Sequence, residues 1–122
     1  MNRQENQRLN HKLSKVKLAK IEKSLVNKQF KEWSLAVRNR DNNKCVVCGS
    51  SKMLNAHHII PRENKDFRFD INNGISLCVL HHKFSLEISP HRNPFVFIFW
   101  LADKRNEQTN YLIDKLQELA RQ

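Results

Sequence analysis

The sequence has no apolar run approaching the ~20 residues that cross a bilayer, and its N-terminus lacks the apolar core of a secretion signal. A membrane span and export are thereby disfavoured, and an intracellular, cytoplasmic protein is expected. Cysteine is scarce and odd in number: three thiols cannot all pair within one chain, and a reducing compartment would keep them reduced. Metal ligation is the better use for them. Glycine occurs only twice, as Gly49 and Gly74, both in turn settings. Gly49 follows Cys48, where a metal-binding knuckle needs positive φ, and Asn73-Gly74 is a dipeptide favoured in tight turns of positive φ. Neither an internal repeat nor a low-complexity tract is visible.

Negative charge is also thin: 12 acidic residues stand against 22 Lys and Arg, for a net charge of +10. Placement sharpens the point, because residues 1 to 44 hold twelve of the basic residues and four of the acids. A basic extension beside a nearly balanced body is the footprint of a polyanion binder, since Lys and Arg that neutralise phosphates release condensed counterions. Nucleic acid is the expected partner; a solvated helix whose charge serves solubility is the bland alternative. At 122 residues the chain suits one domain. With its first forty-odd residues mostly polar, the compact part is smaller still, and domains of that size often lean on a metal.

Leu9, Leu13 and Val16, then Leu18, Ile21 and Leu25, recur at helical spacing, and Phe30, Trp33 and Val37 continue it, so residues 8 to 38 read as helical. The apolar stripe drifts between the sets, so one straight amphipathic face is not secured. Residues 1 to about 20 are alternatively a basic arm that orders on nucleic acid. We divide the chain into a basic helical arm, 1–28, and a domain, 29–122. Within the domain, Leu54 to Ile60 reads as a strand ended by Pro61, Ile75 to Cys78 as the start of another, and about Val79 to Ile88 as a helix. Asn93-Pro94 offers a helix cap and first-turn proline, which turns the apolar run Phe95 to Leu101 toward helix. A last helix is expected from Tyr111 to about Arg121, with Leu112, Leu116 and Leu119 on one face.

Cys45 and Cys48 stand two residues apart, a spacing that lets one turn present both sulfurs to one tetrahedral ion. Thirty residues on, Cys78 and His81 repeat the spacing with imidazole as the fourth donor. Four such ligands in two knuckles make the closed shell of a structural zinc site. The alternative, a buried Cys78 with a surface His81, leaves the CxxC-Gly knuckle without a purpose.

Five of the six histidines fall between residues 57 and 91, including the pairs His57-His58 and His81-His82. Cutting a phosphodiester requires a nucleophile made from water, relief of charge on the phosphoryl oxygens, and help for the leaving alkoxide. A neutral histidine suits the first task, and a divalent cation held by a few imidazole or oxygen ligands suits the others. Neighbours on a regular strand point to opposite faces, however, so His57 and His58 meet one phosphate only if the chain bends there.

The ordered set Cys45-x-x-Cys48-Gly49, Ala56-His57-His58-Ile59-Ile60-Pro61, Phe69-Asp70-Ile71-Asn72-Asn73-Gly74-Ile75-Ser76-Leu77-Cys78 and His81-His82 resembles the HNH endonuclease family, most closely its small zinc-stapled members carried by bacteriophages. Glu32-Trp33 and Arg38-Asn39-Arg40-Asp41 fit the helix that leads into the first CxxC in such proteins, and the resemblance spans roughly residues 30 to 100. It implies an α+β fold with a ββα-metal core of two antiparallel strands and a helix around a catalytic cation. That core would be stapled by structural Zn²⁺ and flanked by N-terminal basic helices and C-terminal helices. By matching position, His58 would be the general base, while His57 and His82 would hold Mg²⁺ or another divalent cation. Asn73 would either tie the strand-to-strand loop or approach the cation. Some relatives carry a further histidine four residues beyond the helix histidine; here that place is Leu86, and His91 is either its replacement or a surface or capping residue.

The expected activity is hydrolysis of DNA, taken to be double-stranded, leaving 5′-phosphate and 3′-hydroxyl ends. Lys12, Lys15, Lys20, Lys23, Arg38, Arg40, Arg62, Lys83 and Arg92 are the expected phosphate contacts, and a phage enzyme acting in its host cell is one setting. The rivals are a zinc-bearing nucleic-acid binding module without catalysis, a structure-selective or packaging-associated nickase, and an interaction protein docking through residues 95 to 101.

Overall fold

The computed structural model describes residues 2–122. A long helix α1 (Arg3–Arg40) is followed by strands β1 (Leu54–His58) and β2 (Gly74–Cys78), then by helices α2 (Pro94–Lys104) and α3 (Asn106–Ala120). A single 3₁₀ turn (Ile71–Asn73) leads into β2, and one π-helical turn (Leu80–Phe84) leaves it. The architecture is therefore mixed helix with a small two-stranded antiparallel sheet. No helix among the described residues is long and apolar enough to cross a membrane.

The chain divides into two compact units, Met1–Glu32 and Trp33–Gln122. In the first, α1 carries Leu9, Leu13, Val16, Leu18, Ile21 and Leu25 exposed, and these side chains spread around the helix rather than forming one face. Burial begins in the second unit, where Trp33 and Val37 enter the core.

That core is built on β2, all five residues of which are buried. Ile75 and Leu77 pack with Cys45, Cys78, Phe97 and Leu101. Each large apolar side chain so enclosed contributes about 1.5–3 kcal/mol. The strands pair from Leu54 opposite Cys78 to His58 opposite Gly74. One end of the ladder thus lies at the cysteine knuckles and the other at the histidines.

Asp41, at the end of α1, ties the layers together. Its carboxylate, 1% exposed, receives Arg40 at 2.8 Å and Arg105 at 3.0 Å, and the Ser76 N–H at 2.9 Å. Burial alone would raise its pKa, but these donors outweigh that cost and hold the group below the usual carboxylate range.

Four expectations need correction. Gly74 has φ −125°, an ordinary extended value. The glycine is needed for room: a Cβ there would stand 2.4 Å from Val37 Cγ2 and 2.6 Å from Trp33 Cζ2. Gly49 does adopt positive φ, +77°. The helix expected over Val79 to Ile88 is only the π turn, closed by Ser85 N–H on the Leu80 carbonyl at 2.7 Å. Pro90 cannot continue a helix and disfavours helical geometry at Ser89. Ser89 instead turns its hydroxyl back onto the His82 carbonyl at 2.8 Å. Strand β1 stops at His58 rather than Ile60: the Ile59 N–H still bonds the Asn73 carbonyl at 3.0 Å, but the Ile60 N–H turns to the Asn73 side chain at 2.7 Å. Finally, α3 begins at Asn106, five residues before Tyr111, and of its three leucines only Leu112 is buried. The helix expected over Phe95 to Leu101 is present, capped by the Asn93 side chain on the Val96 N–H with Pro94 at its first turn.

Candidate functional site

The knuckle Cys45–Gly49 is closed by the Gly49 N–H on the Cys45 carbonyl at 2.8 Å, and the Cys45 N–H bonds the Ser50 carbonyl at the same distance. The turn presents Sγ of Cys45 and Cys48 toward Cys78 at the end of β2 and His81 on the π turn, and the four donor atoms lie within 4.8 Å of one another. Sγ of Cys48 and Cys78 are 3.8 Å apart, while Nδ1 of His81 is 3.3 Å from Cys78 Sγ and 3.8 Å from Cys45 Sγ. A tetrahedral zinc with its usual bond lengths has S···S edges of about 3.8 Å and S···N edges of about 3.6 Å. The donors thus fit a metal such as zinc in both chemistry and spacing. The two thiols of the knuckle are unlike. Burial would raise Cys45, but backbone N–H groups of Cys78, Cys48 and Val47 prevail and lower its pKa. At Cys48 the Ser50 N–H lowers the pKa, yet burial and the neighbouring thiols leave it raised.

A second cluster lies at the other end of the ladder. His57 comes from β1, His82 from the π turn and His91 from the loop before α2, and one nitrogen of each lies within 4.8 Å of the others. His57 Nδ1 is 3.1 Å from His82 Nε2, which is 3.0 Å from His91 Nε2. The wide loop makes this possible, because the Ser89 hydroxyl and the His91 N–H both reach back to the His82 carbonyl. Leu86 is 68% exposed. Burial, reinforced by His82, His91 and His58, pushes the pKa of His57 down to about 3, and burial, His91 and Lys83 push that of His82 down to about 4. Both rings are therefore neutral at neutral pH. Protons alone satisfy such a knot poorly, and His82 Nδ1 is buried without a hydrogen-bond partner. Adjacent ligands of a six-coordinate cation lie about 3.0 Å apart, so the spacing fits a divalent ion.

His58, the last residue of β1, takes different neighbours from His57. Its Nε2 lies 2.9 Å from the Arg68 carbonyl, so Nε2 bears the proton and Nδ1 is the basic nitrogen. Burial lowers its pKa below the ordinary 6.5, partly opposed by that carbonyl. Although strand alternation separates the two rings, both border one pocket of about 330 Å³, together with Ala56, Pro61, Arg62, His82 and His91. The strand ends at His58, which is how the geometric objection to the pair is met.

Asn73 is fully buried and lies away from the histidine cluster in its bonding. Its Oδ1 accepts the Ile60 N–H at 2.7 Å, and its Nδ2 donates to the carbonyls of Ile60 at 2.9 Å and Phe67 at 3.2 Å. Of its two expected tasks, its amide is committed to tying the loop.

Among the basic residues, Arg62 borders the histidine pocket, and Lys83 and Arg92 are exposed. Arg38 bonds its own helix at the Ser34 carbonyl, and Arg40 spends its guanidinium on Asp41 and the carbonyls of Ile71 and Gly74. Lys12, Lys15, Lys20 and Lys23 lie exposed along α1. Lys20 and Lys23 border a shallow depression that also includes Ser24, Asn27, Lys28 and Lys31, and the last two were not singled out by sequence. Their spacing of eight and eleven residues from Lys20 was the available signal.

No curated protein and no solved structure matches the chain. Residues 45–84, which hold the knuckles, both strands, Asn73 and the π turn with His82, fit the model of the family described as HNH endonuclease.

Proposed function

We propose that the chain is a metal-dependent DNA endonuclease. The observation that carries this reading is the convergence of His57, His82 and His91 on one point beside a pocket that His58 also borders. His57, His82 and His91 would hold the catalytic cation and Cys45, Cys48, Cys78 and His81 a structural zinc. Three imidazoles without a carboxylate suit a borderline transition ion better than magnesium. When bound, the cation would offset charge on the phosphoryl oxygens and the leaving oxygen.

His58 acts as general base: a water oxygen bonds to phosphorus as its proton passes to Nδ1 of His58. The P–O3′ bond breaks and O3′ takes a proton from solvent, leaving 5′-phosphate and 3′-hydroxyl ends. Asn73 serves as a positioning residue that fixes the loop carrying the Arg68 carbonyl. Arg62, Lys83 and Arg92 bind the phosphate backbone near the pocket, and the lysines of α1 bind it along the arm. Arg40 is left out of this set because its guanidinium is already bound to Asp41 and to the carbonyls of Ile71 and Gly74.

The test compares His58→Ala with the parent on supercoiled and linear DNA, each with Mg²⁺, Mn²⁺, Ni²⁺ or a chelator. The parent is expected to nick or cut with a divalent ion and His58→Ala to bind without cutting. Cutting by a folded His58→Ala protein would reject the base. Binding without cutting by the parent under every ion would favour the rival reading of a zinc-bearing binding module.

A further inference from the structure

Trp33 reaches His58 from the end of α1. Its indole lies parallel to the imidazole, with ring centroids 3.8 Å apart and 9° between the planes. The indole is itself fixed, since Nε1 donates to the Asp70 carbonyl at 2.8 Å and the side chain is buried. Room for it exists only because the residue paired with His58 across the sheet is Gly74, where a Cβ would collide with Trp33 Cζ2. At the edge of the imidazole, Nε2 meets the Arg68 carbonyl. One constraint acts on the face of the ring and one on its rim, so rotation about either side-chain torsion breaks a contact.

We propose that Trp33 is a positioning residue for phosphodiester hydrolysis, holding the His58 ring so that Nε2–H stays on the Arg68 carbonyl and Nδ1 stays the basic nitrogen. The proposal rests on the reading of His58 as base. It explains why a residue with a flat aromatic face, rather than any apolar residue of like volume, occupies this place in the core.

Full-length, zinc-loaded Trp33→Phe and Trp33→Leu are compared with the parent for kcat and KM in plasmid nicking. Leu retains apolar bulk without a flat face and is expected to lower kcat by roughly ten- to hundredfold, with KM within about twofold, as for a base displaced by a fraction of an ångström. Phe retains the face and is expected to keep kcat within about threefold. Imidazole ¹⁵N shifts should report His58 locked as the Nε2–H tautomer in the parent, and Trp33→Met, which also keeps apolar bulk without a flat face, takes the place of Trp33→Leu with the same expected loss of kcat if Trp33→Leu does not fold. Parental kcat in Trp33→Leu, equal impairment in Trp33→Phe and Trp33→Leu, or a parental His58 exchanging between tautomers would each overturn the proposal. His58→Ala run alongside separates the two failures. If His58→Ala is inert while Trp33→Leu is at full rate, only the positioning role falls; if His58→Ala cuts like the parent, the base falls and the positioning role with it.

Discussion

At the scale of single residues, what matters is how completely each buried polar group is matched. Asn73 has no exposure and satisfies three backbone groups of the loop between the strands. Asn73→Ala would strand those groups in a closed interior, which costs about 3 kcal/mol. A urea titration should show that loss as a lower midpoint with unchanged slope. Asp41 and Asp70 contribute to the acid limit of the fold, as do the neutral His57 and His82. At Asp70 burial pulls the pKa up, but the Tyr111 hydroxyl, Lys115 and the Asn72 N–H pull harder, so it too lies below the usual value. Groups depressed in the folded state stabilise it fully above their unfolded pKa, near 3.8 here. That stabilisation disappears as pH falls through the lower, folded values. Melting temperature should therefore begin to fall as pH drops through about 6.5, where the unfolded chain protonates His57 and His82 and the folded chain does not, and fall further below about pH 4 as the carboxylates add their loss; Asp41→Asn should be less stable than the parent at pH 7 with a flatter limb below pH 4. A parent whose stability did not change between pH 5 and pH 2 would contradict this. The histidines themselves were legible as residues, and His91 was one of two readings left open; its place beside His82 depends on a loop whose path Ser89 and Pro90 decide.

Elements tell a different story, since local signals fixed some and tertiary demands overrode others. The cap at Asn93-Pro94 was sufficient for α2, being a purely local device. Over residues 79 to 88 no such device is present, and in place of the expected helix the chain makes one wide turn and folds back. On α1, Lys20, Lys23, Lys28 and Lys31 share one depression across eleven residues, about 16 Å of helix rise, with no acidic residue among its lining. Such a row suits a run of phosphates along one strand. Replacing all four with Gln should weaken binding to any duplex sequence about equally and reduce the slope of log K against log salt by about 3 to 4. A slope unchanged in fluorescence-anisotropy titrations would remove the arm from the interface.

On the scale of the whole molecule, the compact unit of residues 33–122 is small, and its two knuckles are joined by no covalent bond; all three cysteines are free thiols. A zinc that binds only the folded form contributes free energy comparable to the entire stability of a small domain. Chelation, or Cys45→Ala, is accordingly expected to abolish cooperative melting in circular dichroism. His82→Ala is expected to lose one metal ion per chain by elemental analysis while the melt persists. If His82→Ala retained its full metal content, the second site would be wrong.

The sequence alone determined the donor types and their spacings, because a knuckle is a local object: three or four residues and a glycine suffice to aim two ligands. It likewise determined the basic arm and the capped helix, whose causes lie within a few residues. Only the tertiary structure decided that Gly74 is a space-holder for Trp33 and Val37 and not a turn, that Asn73 binds backbone, and that His57, His82 and His91 meet. Each of these depends on atoms brought together from distant parts of the chain, and close packing, which no local pattern encodes, selects among the arrangements that local chemistry permits.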